Sequence, residues 1–253
     1  MESITGIVIT LNEQENIEKC IQSIKWVDEL IVVDTGSSDN TIELARKYAN
    51  FIYKIPFNNN FGELREKALN KAKCDWVLMI DADETLPKSS EKNIRRIITS
   101  ENINGFWFPR RQYINRRDYL KYGYFYPDYQ LRLFKKKNVH YIGKVHEFPN
   151  IPKNNTKINS DVEIYHNPSK TKFNSFFSIK RMLPYIDIEA EVLAKTNNNI
   201  SLVEGITELI RHTYRSFIKL QGYKDGYKGF RAACIYGIYK GLIVIKANKY
   251  KSR

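Results

Sequence analysis

The chain has 253 residues, 42% hydrophobic and 27% charged, enough apolar surface for a sizeable core and too much for a disordered segment. Its three cysteines, Cys20, Cys74 and Cys234, are widely spaced and odd in number, which argues against a disulfide framework or a Cys-rich zinc site and fits a reducing cytosol. The formal charge of +13 is uneven: from residue 211 to the end, eleven Lys or Arg face one acid, Asp225, a balance suited to an anionic surface.

Residues 4–10, ITGIVIT, predict a strand, and Met1-Glu2-Ser3 before it lacks the basic and long apolar stretches of a secretory signal. NEQENIEKCIQSIKW predicts a helix with Ile17, Ile21 and Ile24 on one stripe, Asn12 and Glu15 reading as a capping box. ELIVV is a second strand, followed by the turn and cap formers DTGSSDNT and a helix over 40–48. FIYKI, the loop PFNNNFG and the helix GELREKALNKA lead into DWVLMIDADE, five apolar residues and then three carboxylates within four positions. An unbroken apolar run fits a strand covered on both faces. Four β–α alternations over about 90 residues predict a parallel sheet with helices on both faces.

In such sheets ligands bind beyond the carboxyl ends of the strands. Three strand exits carry polar tips there: residues 10–13, 34–39 and 81–84. Crowded carboxylates repel one another unless a cation or a set of donors neutralises them. Oxygen ligands select a hard metal such as magnesium or manganese, while Asp83 or Glu84 at a helix N-terminus is the alternative. After Gly105 the sequence becomes aromatic and basic, and YQLRLF and VHYIGKVHEF read as short antiparallel strands. From Phe173 onward it reads as helical, with helices near 201–220 and 226–249.

The three tips together with YPDYQLRLF resemble glycosyltransferase family 2. More narrowly, NEQENIEKCIQSIKWVDELIVVDTGSSDNT, DWVLMIDADE and YPDYQLRLF followed by GKVHE are similar to its lipopolysaccharide-core glucosyltransferase branch, over residues 4–166. The resemblance implies an α/β GT-A (Rossmann-like) fold: a mostly parallel sheet with helices on both faces, a small antiparallel acceptor-side sheet and C-terminal helices. Residues 1–104 would form the nucleotide-sugar-binding half, 105–170 the acceptor-side catalytic half, and 171–253 a basic helical extension.

By the same resemblance, Asp34 would bond the uracil or ribose of the donor, with Thr10, Asn12 and Glu13 as the adjoining wall. Asp81, with Ala82 beside it, would hold the ribose, Asp83 an Mn2+ or Mg2+ ion bridging the diphosphate, and Arg65 would lie near the nucleotide. Asp128 matches the base position, although Pro127 stands where the family has an acid, and Glu147 is the reserve. His146 would be a further metal ligand, with His166 competing for that role. Arg132 and Lys135–Lys137 read either as phosphate contacts or as a solvated edge.

The implied activity is inverting, metal-dependent transfer from a nucleotide sugar, expected to be UDP-hexose, to a hydroxyl of a glycan or lipid-linked saccharide in cell-envelope polysaccharide synthesis. A peptide or protein acceptor, as in enzymes that glycosylate bacteriocins, is the alternative. Asp81–Thr85 also fits the DxDxT of haloacid-dehalogenase-type phosphatases, but the paired aspartates that chemistry needs downstream are missing. A basic nucleic-acid-binding module over 106–144 is opposed by the acidic crevice, so no nucleic-acid partner is expected. FRAACIYGIYKGLIVIKANKYKSR, interrupted by Lys240, is too short for a span that needs ~20 apolar residues. It reads either as an interfacial helix on an anionic membrane surface or as a helix packed on the catalytic domain. The expected location is cytoplasmic, with peripheral attachment at the inner face of the membrane.

Overall fold

A computed structural model describes residues 2–100, 103–115, 117–137, 139–143, 147–168, 179, 182–196 and 200–251. The chain forms two compact units, Met1–Arg116 with Asp128–Ser169, and Arg117–Pro127 with Lys170–Arg253.

In the first unit, β1 (Ile4–Thr10), β2 (Glu29–Asp34), β3 (Phe51–Lys54) and β4 (Trp76–Asp81) pair in parallel in the order β3-β2-β1-β4. Their apolar runs are sorted by the two-residue period of a strand. Ile4, Val8, Val32, Leu78 and Ile80 pack with α1 (Ile17–Ile24) and α4 (Ser90–Ser100) on one face. Ile7, Ile31, Val33, Val77 and Met79 pack with Leu64, Ala68 and Leu69 of α3 (Phe61–Leu69) on the other. Between β2 and β3 lies the short α2 (Thr41–Ala45). The expected sheet covered on both faces is therefore present.

The capping box is not. α1 begins at Ile17, five residues after Asn12, which instead adopts φ 53°, a left-handed conformation that Asn tolerates better than most residues.

Beyond β4 the sheet continues through β7 (Asp128–Lys135), β6 (Gly105–Gln112) and β11 (Ile164–His166) to β5 (Glu84–Thr85), and β10 (Thr156–Ile158) pairs with β6. The aromatic, basic strands β6 and β7 thus extend the main sheet, with β7 antiparallel to both neighbours. The small antiparallel sheet is β8 (Tyr141–Ile142) with β9 (Phe148–Pro149). β5 starts three residues after β4 ends, yet four strand steps away from it. Both hold only if the sheet curls until β5 returns beside β4, so that β4, β7, β6, β11 and β5 surround a common interior.

In the second unit, α5 (Leu183–Thr196), α6 (Leu202–Tyr214) and α7 (Gly226–Lys251) pack together. Ile243 and Ala247 of α7 share a buried cluster with Ile186 and Ala190 of α5. Against α6 the contact is closer, and glycine allows it: a Cβ at Gly237 would lie 2.0 Å from Thr213 Oγ1 and 2.6 Å from the Leu209 carbonyl oxygen. Asp225, the one acid of the basic tail, accepts from the backbone N–H groups of Lys121 and Tyr122 at 2.9 Å each and so ties down the 117–127 segment. No helix among the described residues is long and apolar enough to cross a membrane.

Candidate active site

The parallel registers Thr10↔Asp34 and Ile9↔Asp81 bring the exits of β1, β2 and β4 to one edge of the sheet. At the first two exits the polar tips knit together. Asp34 is buried, and its Oδ1 accepts from Ser37 N at 2.9 Å, a turn helped by Gly36 at φ 123°. Asn12 donates its N–H to Ser37 Oγ at 2.9 Å, and its Oδ1 accepts from Ser38 N at 2.8 Å. Glu13 N donates to Thr41 Oγ1 at 2.8 Å, while its carboxylate accepts from Asn16 Nδ2 at 2.7 Å. The sequence DTGSSDNT is thus a set of short side chains spaced to satisfy backbone groups of the neighbouring loop.

The exit of β4 is charged. Asp81 Oδ1 accepts from Arg65 Nη2 at 2.8 Å and its Oδ2 from Arg132 Nη2 at 2.5 Å. Arg132 also reaches Glu84 Oε1 at 2.7 Å, as Arg110 does at 2.9 Å, and Arg110 Nε donates to Asp128 Oδ2 at 2.9 Å. Arg65 Nε donates to Glu147 Oε1 at 2.6 Å. Three arginines therefore pair with the four carboxylates Asp81, Glu84, Asp128 and Glu147. Burial pushes the Asp81 carboxyl upward, but Arg132 and Arg65 outweigh it and hold it well below the usual carboxylate range. Asp128 follows the same pattern: burial raises it, and Arg110 with the amides of Gln112 and Gln130 brings it below the ordinary value.

Asp83 lies in the turn between β4 and β5. Its Oδ2 lies 3.4 Å from His166 Nε2, and its carbonyl accepts from Asn167 N at 2.8 Å. The antiparallel pairing of β11 with β5 puts His166 opposite Glu84, and the parallel pairing with β6 puts it beside Gln112. His166 Nδ1 is 2.7 Å from Gln112 Oε1, and Gln112 Nε2 donates to Asp128 Oδ2 at 2.8 Å. A carboxylate oxygen and an imidazole nitrogen facing each other suit Mg2+ or Mn2+, ions that take few protein ligands and fill their shell with water and phosphate oxygens. No cluster of three or more ligating side chains occurs among the described residues.

Of the site residues expected from sequence, Thr10, Asn12, Glu13, Asp34, Asp81, Ala82 and Asp83 lie at the three exits on one sheet edge. Arg65 and Glu147 meet beside Asp81, and Asp128 and His166 are linked through Gln112. His146 lies outside the described residues. The charge network also contains Arg110, Gln112 and Gln130, which sequence reasoning missed, and it buries Arg132, which the sequence leaves open between a phosphate contact and a solvated edge. One signal was available: Arg110 and Gln112, like Asp128, Gln130 and Arg132, recur at intervals of two, the mark of a polar face on a strand. Thr10 Oγ1, Arg65 Nη1 and Arg132 Nε are buried here without a hydrogen-bond partner.

The model of Glycosyl transferase family 2 matches residues 5–153. The chain belongs to this family. A glycosyltransferase of Rickettsia felis is 28% identical over 97% of this chain and 89% of its own length. The lipopolysaccharide core biosynthesis glycosyltransferase LpsC of Rhizobium meliloti is 31% identical over 48% of this chain and 45% of its own. SunS, a glycosyltransferase of Bacillus subtilis, is 26% identical over 82% and 46%. Among solved structures, Staphylococcus aureus TarS 1–349 in complex with UDP aligns over 99% of this chain and 91% of its own, with a TM-score of 0.52 and 14% identity. That likeness is one of fold, and the chain spans 46% of a longer TarS chain. The acidic tips of this family 2 glycosyltransferase lie at the carboxyl ends of β1, β2 and β4, the edge at which open α/β sheets in general bind ligands.

Proposed function

We propose that the protein is an inverting, divalent-metal-dependent transferase that moves a hexose from a UDP-linked donor to a hydroxyl of a glycan or lipid-linked saccharide of the cell envelope. The observation that carries this reading is the Asp83–His166 pair, with Asp83 at the same sheet edge as Asp34 and Asp81. Asp83 and His166 hold the ion, Mn2+ or Mg2+, which when bound supplies Lewis-acid stabilisation of the diphosphate. Asp34 receives the uracil or ribose, with Thr10, Asn12 and Glu13 as the wall beside it. Asp81, whose oxygens each keep a second acceptor site, takes the ribose. The orphan donors on Thr10 and Arg65 are what a buried polar ligand would satisfy.

In the transfer, the acceptor oxygen bonds to the anomeric carbon as the bond to the diphosphate oxygen breaks, and its electron pair leaves with UDP. The acceptor proton passes to Asp128. A carboxylate held below its ordinary pKa is a weak base, so Asp128 acts through position, which Arg110, Gln112 and Gln130 fix from three sides. Glu147, already engaged by Arg65, positions that arginine. The name LpsC supports an envelope saccharide as acceptor.

Attachment to the inner face of the membrane is supported by α6, since Ile243 and Ala247 of α7 are spent against α5. Val203, Ile206 and Ile210 are 73%, 56% and 60% exposed and recur at helical spacing, with Arg211, Arg215 and Lys219 following. A second copy of the chain would bring like charges together, so an anionic lipid surface is the fitting occupant. Flotation with anionic but not zwitterionic vesicles, lost in Ile206→Glu/Ile210→Glu, is the expected outcome. Equal recovery of both forms overturns it.

A panel of nucleotide sugars, screened with Mn2+ for hydrolysis and thermal stabilisation, tests the donor. UDP-sugars should be cleaved, and Asp83→Ala should abolish metal-dependent turnover. Full activity in that variant, or stabilisation by no nucleotide sugar, rejects the reading.

A further inference from the structure

Four laterally adjacent elements carry one continuous polar chain: Asp128 on β7, Gln112 on β6, His166 on β11, and Asp83 in the turn before β5. Its separations are 2.8 Å from Asp128 Oδ2 to Gln112 Nε2, 2.7 Å from Gln112 Oε1 to His166 Nδ1, and 3.4 Å from His166 Nε2 to Asp83 Oδ2. The direction of this chain is fixed by chemistry. Asp128 is paired with Arg110 and is ionised, so it can only accept. Gln112 must turn its amide nitrogen toward Asp128, which leaves its carbonyl oxygen facing His166. A carbonyl cannot donate, so the hydrogen bond to Nδ1 requires the imidazole proton there. In the neutral ring that tautomer leaves the Nε2 lone pair on the side of Asp83.

We propose that Gln112 is a positioning residue joining the two halves of the reaction: its oxygen fixes the His166 tautomer that can bind metal, and its nitrogen aims the Asp128 carboxylate at the acceptor. The inference rests on the metal and base roles proposed above and assigns Gln112 a part in both. Partners that orient a ligating histidine typically change metal affinity 10- to 100-fold when removed. The two ends of the amide can be separated by substitution. Gln112→Glu keeps an acceptor for Nδ1–H but replaces the donor to Asp128 with a second carboxylate. Gln112→Met, of similar length, loses both ends.

The test measures Mn2+ affinity in the presence of UDP by calorimetry or electron paramagnetic resonance, together with kcat and donor KM. Gln112→Met should weaken Mn2+ binding about 10- to 100-fold. Gln112→Glu should bind Mn2+ at least as tightly as the native protein, with donor KM unchanged, while kcat falls on the order of 10²-fold. Unchanged Mn2+ affinity in Gln112→Met overturns the proposal, as does an equal loss of affinity in both variants, which marks Gln112 as a structural brace. A measurement on the native chain needs no variant to fold: nitrogen-15 resonances of metal-free His166 should report the proton on Nδ1, and a proton on Nε2 alone overturns the assignment. Failure of the native protein to bind Mn2+ with UDP defeats the metal reading itself, and is distinguishable from a bound ion indifferent to Gln112.

Discussion

The two walls of the site are built by opposite means. At the exits of β1 and β2, Asn12, Glu13, Asp34, Ser37, Ser38 and Thr41 satisfy one another and the backbone with single hydrogen bonds, many of them near solvent. At the exit of β4, three arginines and four carboxylates form one ion-pair network in which Glu84, Arg65 and Arg132 are buried and Asp81, Asp128, Glu147 and Arg110 are half-buried. The first wall can lose an exposed partner, such as Asn12 or Ser38, to water. The second cannot, because removing one ion from a buried set leaves its counter-charge unsolvated. The difference teaches where this protein is adaptable, at the loops, and where it is rigid, at the charge network that supports Asp81 and Asp128.

The comparison is broken most severely at Arg132. Arg132→Met should cost about 3–5 kcal/mol, measured by urea denaturation, because Asp81 and Glu84 both lose a partner in the interior. An effect below about 1 kcal/mol, the size of a surface ion pair, would mean that water enters the network freely. Gly237→Val tests whether the helical unit is rigid for a different reason, since its new side chain must displace Thr213 and the Leu209 carbonyl. A loss of about 1–3 kcal/mol in thermal unfolding is expected.

Acid should act on the charged wall. The folded pKa of Asp128 is depressed, so its contribution is fully present above the unfolded value of about 3.9 and is lost as pH falls through the lower folded value. Asp128→Asn should therefore flatten the acid limb of the stability curve below about pH 4, and a limb as steep as that of the native protein would contradict it. Ser38→Ala, in the loop wall, should change stability by no more than about 1 kcal/mol, because it removes one exposed hydroxyl and leaves the backbone bond to Asn12 intact.

The wall made of loops was the legible one. Asp34, Thr10 and Asn12 each sit at or within two residues of an apolar run, so periodicity and turn composition locate them without knowledge of the fold. Even there the sequence reads Asn12 as part of a helix cap, because its contact with Ser38, 26 residues on, leaves no local trace. The charged wall depends on β7 inserting antiparallel between β4 and β6, a pairing across more than 50 residues that no local pattern encodes. Arg110, Gln112, Gln130 and Arg132 then read as ordinary basic and polar residues of an aromatic stretch. The helices of the second unit were legible in extent but not in use: apolar spacing marks α6 and α7 alike, and only packing distinguishes the face that is spent from the face that is free.

The return of β5 to the neighbourhood of β4 carries a consequence for synthesis. Although Asp81 and Glu84 are nearly adjacent in sequence, the strand that holds β5 in its place is β11, whose last residue is His166. A growing chain must therefore release about eighty further residues from the ribosome before those acids gain their final surroundings, so nascent forms ending before that point should be protease-sensitive around DADET even with the first four strands complete.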